Sequence, residues 1–418
     1  MSIGDTKHMR DVQRHRFLDR STPPHLVTLI MLAAIPALSM TLFLPSLPNM
    51  TEYFATDYRV MQLSVAIYLL VNAVLQVIVG PISDYWGRRI VVLWAIVLFL
   101  IASLGCMLSP NVEVFLFFRM CQAVIVAGMV LSRSIVRDMY QMNRAASVIG
   151  YVTMGMAVAP MLGPMIGGAL DDAFGWKASF SLFLVIGAFL FAVCYFDLGE
   201  TYPGKARSFR DQVREYPELF SSRRFWGFCL ITTFCSGAFF AYLGGAPFVG
   251  TNHYGMSASL LGFYFGTVAF GYMAGNFLSG QFSQSVGTRK MVVVGAVVTA
   301  LGPLGAIAAI HGGVTHPLGF FGFIMLLGVG NGLVIPNATA GMLSVRPHLA
   351  GTASGIGGAI TIGLGSGLSA LAGASLTEGS GPYPLVYIML ASVLAGLVCT
   401  IYVMRVEYRS AKKNQRSG

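Results

Sequence analysis

Long apolar stretches dominate this chain and limit its fold more than any other feature. About 20 apolar residues are enough for a helix to cross a hydrocarbon core about 30 Å thick. Twelve such stretches occur, at 26–48, 60–82, 90–109, 112–136, 146–170, 178–198, 224–249, 258–282, 291–311, 317–337, 349–372 and 383–404. They are too long and too uniformly apolar for barrel strands, in which apolar and polar residues alternate. We therefore predict an all-α polytopic membrane protein with twelve transmembrane helices.

Composition and motif context exclude several other classes of protein. Only 11% of the 418 residues are charged, whereas soluble proteins average about a quarter. The basic residues are scattered over short loops and do not form one basic face with interleaved aromatics, so we predict no nucleic-acid partner. The six cysteines show no metal-ligand spacing. The glycine-rich segments lie within apolar spans and follow no strand, so we predict neither metal nor cofactor, and no enzymatic activity.

The distribution of Lys and Arg predicts the orientation in the membrane. Of the 27 basic residues, 24 fall in alternate segments on one side, which include both ends of the chain. Arg59 and Lys177 fall on the opposite side, and Arg119 lies within a span. Because cytoplasmic loops carry the excess of basic residues, both termini are predicted to be cytoplasmic.

A polar segment and an internal repeat divide the chain into two halves. We predict a tail at 1–25, a six-helix half at 26–198, a linker at 199–223, a second six-helix half at 224–404 and a tail at 405–418. The segment GPISDYWGRRIVVL from residue 80 recurs as GQFSQSVGTRKMVVV from residue 280, and Asp84 becomes Gln284. Parallel repeats around a central cavity are typical of transporters.

The segment from Gly80 to Arg89 places charge at the end of an apolar helix. Gly80 and Gly87 are predicted to supply backbone freedom for a tight turn, and Asp84 is predicted to lie against a helix N-terminus. Arg88 and Arg89 are expected to pair with an acid of helix 4, although they also fit a role as topology signals alone. We call Gly80, Asp84, Gly87, Arg88 and Arg89, together with Asp138, the gating loop, after the role that a resemblance described below implies.

Arg119 is the one basic residue within a span, and an intramembrane charge marks a functional site by default. Gln122 continues the same helix face toward the cytoplasm. The alternatives are that Arg119 reaches to the outer interface or has a purely structural hydrogen-bonding role. In helix 2, Tyr68, Asn72 and Gln76 repeat every four residues and share one face. They face either the cavity or a neighbouring helix.

Several motifs resemble one transporter family in order along residues 26–405. GPISDYWGRR resembles the loop between helices 2 and 3 of the major facilitator superfamily, and RMCQAVIVAG resembles its helix 4 motif. GPMIGG resembles the helix 5 motif associated with antiporters. More narrowly, FGWKASF, FFAYLGGAPFV and VIPNATAGML are similar to segments of the Bcr/CflA-type multidrug efflux carriers.

This resemblance implies a function and assigns residues to it. It implies a monomer in the bacterial inner membrane that exports small amphipathic molecules by alternating access, with protons as the coupling ion. Helices 1, 4, 7 and 10 line the cavity in this superfamily, and the gating loop holds its cytoplasmic side closed. The cavity residues predicted on helices 7 and 10 are Tyr242, Asn331 and Asn337. The helix 5 motif implies a gate formed by Gly163, Pro164, Gly167 and Gly168. Its small residues also predict close helix packing.

Helix 1 departs from the family pattern. Related carriers keep an acidic residue just before the LPxLP segment, and here Thr41 occupies that position. We assign Thr41 with Arg119 and Gln122 to the transport and coupling site, although threonine does not titrate. Uptake or facilitated diffusion of a metabolite without proton coupling therefore remains an alternative, as does a membrane sensor that does not transport.

Overall fold

The structure is a computed structural model that describes residues 17–140, 142–201, 216–346, 349–377 and 379–417. These residues contain twelve long helices and no strand. The helices are α1 Leu26–Tyr53, α2 Tyr58–Trp86, α3 Arg88–Leu108, α4 Val112–Met139, α5 Met142–Phe174, α6 Lys177–Asp197, α7 Arg223–His253, α8 Ala258–Val286, α9 Thr288–His311, α10 Leu318–Leu343, α11 Ala350–Ser375 and α12 Tyr383–Ser417.

The predicted all-α polytopic fold is confirmed. Within the described residues, eleven helices are long and apolar enough to cross a membrane. The twelfth, α5, has 33 residues, a length sufficient to span the bilayer. Several helices extend past the apolar stretches, and α12 runs to Ser417 through most of the predicted tail. Residues 202–215, most of the predicted linker, lie outside the described residues.

Three helices are interrupted at specific points. In α1, the helix Leu26–Thr41 is followed by a 3₁₀ turn at Leu44–Ser46, where Pro45 prevents continuation of the regular hydrogen bonding. In α4, a 3₁₀ turn at Ala123–Ile125 follows Gln122 directly. α7 ends in a π-helical turn at Val249–His253. Such interruptions often mark functional hinges in helices.

The two predicted halves meet along two pairs of helices. α2 packs against α11, and α5 packs against α8. We call the end of the bundle that carries residue 17, the gating loop and the end of α12 the basic end, and the opposite end the far end. At the far end, Tyr58 Oη donates to the Gly244 carbonyl at 2.9 Å, and Gln62 Nε2 donates to the Ser369 carbonyl at 2.7 Å. The two halves are therefore in direct contact at the far end.

Candidate functional site

Arg119 is enclosed in the interior of the first half. Its side chain is 1% exposed, and it is the largest fully buried side chain in the described residues. Its Nη1 donates to Gln122 Oε1 and, at 3.3 Å, to Ser39 Oγ, while Nη2 donates to the Ser39 carbonyl at 2.8 Å. Gln122 Nε2 in turn donates to Ser103 Oγ of α3 at 2.7 Å. The guanidinium group thereby connects α1, α3 and α4.

Two aromatic rings complete the surroundings of this guanidinium group. Its central carbon lies 4.0 Å from the ring centroid of Tyr68 and 4.2 Å from that of Phe43. Both distances fall within the range of cation–π attraction, which gains strength where water is excluded. Ser39, Phe43, Tyr68, Arg119 and Gln122 together form what we call the arginine cluster. Within the described part of the chain, no carboxylate pairs with Arg119, so dipoles and rings balance its charge.

Thr41 does not join this cluster. Its hydroxyl donates to the Ala37 carbonyl of its own helix at 3.2 Å, and it lies against Gly163 of α5. At 3.6 residues per turn, positions two apart point to nearly opposite sides of a helix. Ser39 therefore meets Arg119 while Thr41 faces α5. The structure brings together two of the three predicted coupling residues, and sequence reasoning missed Ser39.

Of the predicted cavity residues of α2, Gln76 lies at the contact with the second half and is bonded to Asn72. Asn72 is buried, and its Oδ1 accepts from Gln76 Nε2 at 2.8 Å. The other amide atom of Gln76, Oε1, lies beside Gly358 of α11. Further along the same interface, Ser366 Oγ donates to the Ala66 carbonyl at 2.7 Å. The polar face of α2 thus lies along the contact with α11, except for Tyr68, which belongs to the arginine cluster.

The interior of the second half contains an aromatic group around Tyr242. The Tyr242 ring lies 4.8 Å from the ring of Phe265 and 6.3 Å from that of Phe321, measured between centroids. Tyr242 is fully buried, yet its hydroxyl has no hydrogen-bond partner. Asn331 is also buried, and its Oδ1 has no partner. Buried polar atoms without partners are rare and call for a ligand, a water molecule or a conformational change.

Asn337 has a structural environment. Its Nδ2 donates to Ser279 Oγ of α8 and to the Leu333 carbonyl, both at 2.8 Å. These two bonds hold α10 against α8, as polar side chains commonly do between membrane helices. A cavity role for Asn337 remains a prediction, and the contacts of its amide group favour packing.

Arg88 organises the predicted gating loop. Its Nη1 lies 2.5 Å from Asp84 Oδ1, and its Nε donates to Asp138 Oδ2 at 3.0 Å, so the predicted pairing of Arg88 with Asp138 is present. Arg89 does something different, because its Nε donates to the Leu198 carbonyl at 2.8 Å. Arg88 is thus a buried cation between two carboxylates, and it joins the gating loop to α4 within the first half.

Glu200 caps α3, because its carboxylate accepts the backbone N–H groups of Arg88 at 2.9 Å and Arg89 at 3.2 Å. Asp84 pairs with Arg88, and its position against a helix N-terminus stays a prediction. The N-terminus of α3 is far from Glu200 in the sequence, and no periodic pattern in the sequence marks Glu200 as its cap. Gly87 has a φ of +94° and lies against the Glu200 carboxylate, so a side chain there would be both strained and obstructed.

Gly80 does not supply turn freedom, contrary to the prediction. α2 continues through Gly80 to Trp86, and nothing lies within 4 Å of the position that a Cβ would take at Gly80. Pro81 lies inside this helix, and the Gly80 carbonyl accepts a hydrogen bond from Ser83 Oγ at 2.7 Å. The tight turn is confined to Gly87.

The predicted helix 5 motif provides a close-packing surface. A side chain at Gly163 would meet Thr41, and one at Gly167 would meet the Leu42 carbonyl, both in α1. Gly168 lies in the same way against the Ala258 carbonyl of α8. Pro164 contributes its own carbonyl, which lies against Gly262 of α8. Small residues allow helix backbones to approach in this way. The motif therefore packs α5 against α1 and against the second half.

A buried acid at the far end was also missed. The sequence reading ends helix 5 at residue 170, but α5 continues to Phe174 and carries Asp171 into the packed interior. Asp171 Oδ2 accepts a hydrogen bond from Asn49 Nδ2 of α1. Its position one residue past an apolar stretch gives no signal of burial.

Comparison with known proteins places this architecture in a family. The model of the Major Facilitator Superfamily matches residues 29–367 and 251–418. An uncharacterized MFS-type transporter, YdgK of Bacillus subtilis, is 32% identical over 376 residues, which cover 88% of this chain and 92% of that protein.

Two further relatives are named for drug resistance. The chloramphenicol resistance protein of Pseudomonas aeruginosa is 27% identical over 383 residues, covering 87% of each chain. The bicyclomycin resistance protein homolog of Haemophilus influenzae is 23% identical over 393 residues, covering 92% of this chain and 97% of that protein. These relatives confirm the resemblance to Bcr/CflA-type carriers.

The fold is also shared with solved structures. A bacterial homolog of the human lysosomal transporter Spinster has a TM-score of 0.71 at 16% identity, covering 92% of this chain and 96% of that chain. At this identity the likeness concerns the fold alone. The family match, the relatives and the helical architecture agree that the chain is a multi-pass membrane protein of the Major Facilitator Superfamily, a family of transporters of small molecules and not of enzymes.

Proposed function

We propose that this protein exports small amphipathic compounds from the bacterial cytoplasm across the inner membrane, as a monomer with both termini in the cytoplasm. The relatives named for chloramphenicol and bicyclomycin resistance support export of drugs. The distribution of 24 of 27 basic residues supports the orientation. In this orientation the basic end is cytoplasmic and the far end faces outward.

The observation that carries the proposal is the arginine cluster. A cation buried within a membrane-spanning helix is expensive to maintain and is kept for function. Among the described residues, Ser39, Gln122 and two aromatic rings, and no carboxylate, surround the Arg119 guanidinium group. An electronegative group of a substrate can replace these weak acceptors at the guanidinium group. A substrate with a fixed positive charge is repelled by the guanidinium group. We therefore propose a preference for neutral or anionic compounds.

Contacts between the halves support alternating access. The far end is held closed by Tyr58 with Gly244 and by Gln62 with Ser369. Release to the outside requires these contacts to break, while the Arg88 pairs with Asp84 and Asp138 hold the loop of the first half together at the basic end. Rocking of one half against the other about the central site is the usual transport motion of such repeats.

We further propose that proton linkage is weak. A coupled antiporter needs a group that changes protonation as access alternates, and Thr41 does not titrate. The described surroundings of Arg119 contain hydroxyl, amide, carbonyl and aromatic groups. Facilitated diffusion is the second candidate, favoured by this same feature.

Flux through purified protein in proteoliposomes tests the proposal. Chloramphenicol as a neutral probe and tetraphenylphosphonium as a permanent cation are compared, with and without a pH gradient, against protein-free liposomes. We expect faster chloramphenicol flux and a modest response to the gradient. Counterflow unaffected by the gradient would favour facilitated diffusion, and binding without flux would show a sensor. Preference for the cation would contradict the role given to Arg119.

A further inference from the structure

A groove on the outer surface of the second half lies outside the arginine cluster and the gating loop. It runs between the start of α7 and the outer face of α12 at the basic end, and its volume is about 420 Å³. A side chain at Gly227 of α7 would meet Val403 of α12, so the two helix backbones approach closely beside the groove. Its walls include Phe220, Arg223, Trp226, Leu230, Val398 and Tyr402.

The order of side chains along this groove matches the order of groups in a phospholipid. On α7, Arg223, Trp226 and Leu230 share one face and extend over about 10 Å at 1.5 Å per residue. From the basic end inward they are a cation, an aromatic ring and an aliphatic chain. On α12, Tyr402 lies nearer the basic end and Val398 one turn deeper. Tryptophan and tyrosine concentrate at the headgroup level of membranes, so the arginine lies at the level of the phosphates.

The aromatic wall of the groove is held in place by the protein itself. Trp226 Nε1 donates to the Phe220 carbonyl at 2.8 Å. The two rings stack with centroids 5.5 Å apart and an angle of 26° between their planes. Because the indole N–H is used within the protein, the exposed part of Trp226 offers apolar ring surface to the groove. Such a wall suits an acyl chain better than a polar molecule.

Arg223 supplies a charge that the neighbouring side chains do not neutralise. It is exposed, and in the part of the chain that the structure describes no carboxylate or other acceptor pairs with it. The acid nearest to it along the chain, Glu218, pairs with Arg346, with 3.0 Å between Oε1 and Nε. Guanidinium groups bind phosphate oxygens in a bidentate manner. The groove is therefore complementary in charge to an anionic headgroup.

A second groove on the other side of α12 repeats this arrangement. It has a volume of about 480 Å³ and lies between α9 and α12, with Val297 and Ile401 among its apolar walls. Arg405, which is exposed, lines it as well and lies toward the basic end of α12. Both sides of α12 thus combine an apolar groove with an arginine at the basic end. Basic pockets between membrane helices are typical sites for the headgroups of anionic lipids.

We propose that the groove between α7 and α12 binds an anionic phospholipid. The phosphate contacts Arg223, and one acyl chain lies between Trp226 and Leu230 of α7 on one side and Val398 and Tyr402 of α12 on the other. This site is separate from the central site between the halves, and its occupation does not depend on the proposed export activity.

Quenching of Trp226 fluorescence by brominated lipids tests this proposal. The chain has four tryptophans. Trp86→Phe and Trp94→Phe remove two exposed indoles, and Trp176 is buried at the far end and gives a constant background. This otherwise full-length protein is placed in phosphatidylcholine liposomes that contain increasing mole fractions of phosphatidylglycerol or phosphatidylcholine, both dibrominated on the acyl chains. Because the chains are identical, any difference in quenching reports the headgroup.

We expect half-maximal quenching at a mole fraction of brominated phosphatidylglycerol about five times lower than that of brominated phosphatidylcholine, equivalent to about 1 kcal/mol. Arg223→Gln should remove this difference. Arg223→Lys should keep most of it, because an ammonium also binds phosphate as a point charge. Arg20→Gln is the matched control, since it removes an exposed cation beside Gly199 at the basic end of the first half, and it should behave like the parent protein.

Three results would overturn the proposal. The first is equal quenching by the two lipids in the parent protein, and the second is an undiminished preference for phosphatidylglycerol in Arg223→Gln. The third is quenching by neither lipid, which would show that protein covers the groove. Chloramphenicol flux is measured separately on liposomes of the same composition. A preference for phosphatidylglycerol without flux would keep the lipid site and contradict the proposed function.

Discussion

The loop between α2 and α3 and its repeat between α8 and α9 have the same backbone geometry. Gly87 has a φ of +94° and Gly287 a φ of +90°. Each glycine donates its N–H to the carbonyl of the serine four residues earlier, at 3.0 Å for Ser83 and 3.1 Å for Ser283. The repeat therefore preserves a turn that only glycine adopts without strain.

The side chains of the two loops differ. In the first loop, Arg88 is held between Asp84 and Asp138. In the second, the corresponding positions hold Thr288 and Gln284. The backbone turn is therefore a property of the repeated fold, because both loops have it. The buried ion pairs of Arg88 are a property of the first half alone. Gating by charge is accordingly expected of the first half.

The interiors of the halves differ in the same sense. The first half encloses the Arg119 guanidinium with polar and aromatic partners. The second encloses Tyr242 among phenylalanine rings and leaves its hydroxyl without a partner. We infer that the first half supplies charge recognition and the second supplies apolar contact. The following predictions test this division, from the largest expected effect to the smallest.

Arg119→Ala should reduce chloramphenicol flux by about 100-fold or more. Three charge-assisted bonds are lost, each worth about 1.5–3 kcal/mol, and about 1.4 kcal/mol corresponds to a factor of ten. Arg119→Lys should recover little, because an ammonium does not reproduce a planar group stacked between two rings. Arg59→Ala, an exposed arginine in α2, is the control. Normal flux in the alanine variant at equal expression would show that transport does not require the charge of Arg119.

Asp84→Asn should lower turnover by about tenfold and leave substrate affinity unchanged. The change weakens one charged contact to Arg88 and keeps the other to Asp138, a loss of about 1.5 kcal/mol. The matched control is Gln284→Ala, the exposed position of the repeat, which should have little effect. Flux and binding are measured separately on both variants. Equal losses in the two would show that the loops are functionally equivalent.

Thr41→Asp should increase the response of flux to a pH gradient by a few-fold. A carboxyl buried at this position would gain proton affinity, which a threonine lacks. The effect should be limited because Thr41 faces Gly163 of α5 and not Arg119. Flux at symmetric pH and with an inward proton gradient is the measurement, with Thr41→Asn as the uncharged control. A strong wild-type response that Thr41→Asp does not exceed would refute the prediction.

Tyr242→Phe should have the smallest effect. The lost hydroxyl has no partner, so the variant should be as stable as the wild type or more stable by about 1 kcal/mol. Thermal unfolding in detergent measures this change, and chloramphenicol flux should stay within about a factor of two, equivalent to a few tenths of a kcal/mol. A loss of flux with unchanged stability would mean that the hydroxyl contacts substrate, and the second half would then contribute polar recognition too.

Much of the candidate site was predictable from local patterns. Arg119 stands out because a charge within an apolar stretch is rare, and Gln122 lies one turn further along. The pairing of Arg88 with Asp138 follows from opposite charges at the same end of neighbouring helices. Glu200 could not be predicted as the cap of α3. An acid in a loop can accept hydrogen bonds from many backbone N–H groups, and the sequence does not indicate which of them lie near it in the fold.

The division between sequence and tertiary structure has a physical basis. The sequence alone determined the spans and the repeat, because hydropathy acts over neighbouring residues. It indicated the turn at Gly87, which glycine adopts without strain, but also turn freedom at Gly80, where the helix continues. Only the tertiary structure decided that Ser39 and not Thr41 meets Arg119, and that Asp171 is buried beside Asn49. Those contacts join residues 80 and 122 positions apart, and they depend on how each helix is rotated about its axis, which packing against several partners sets at once.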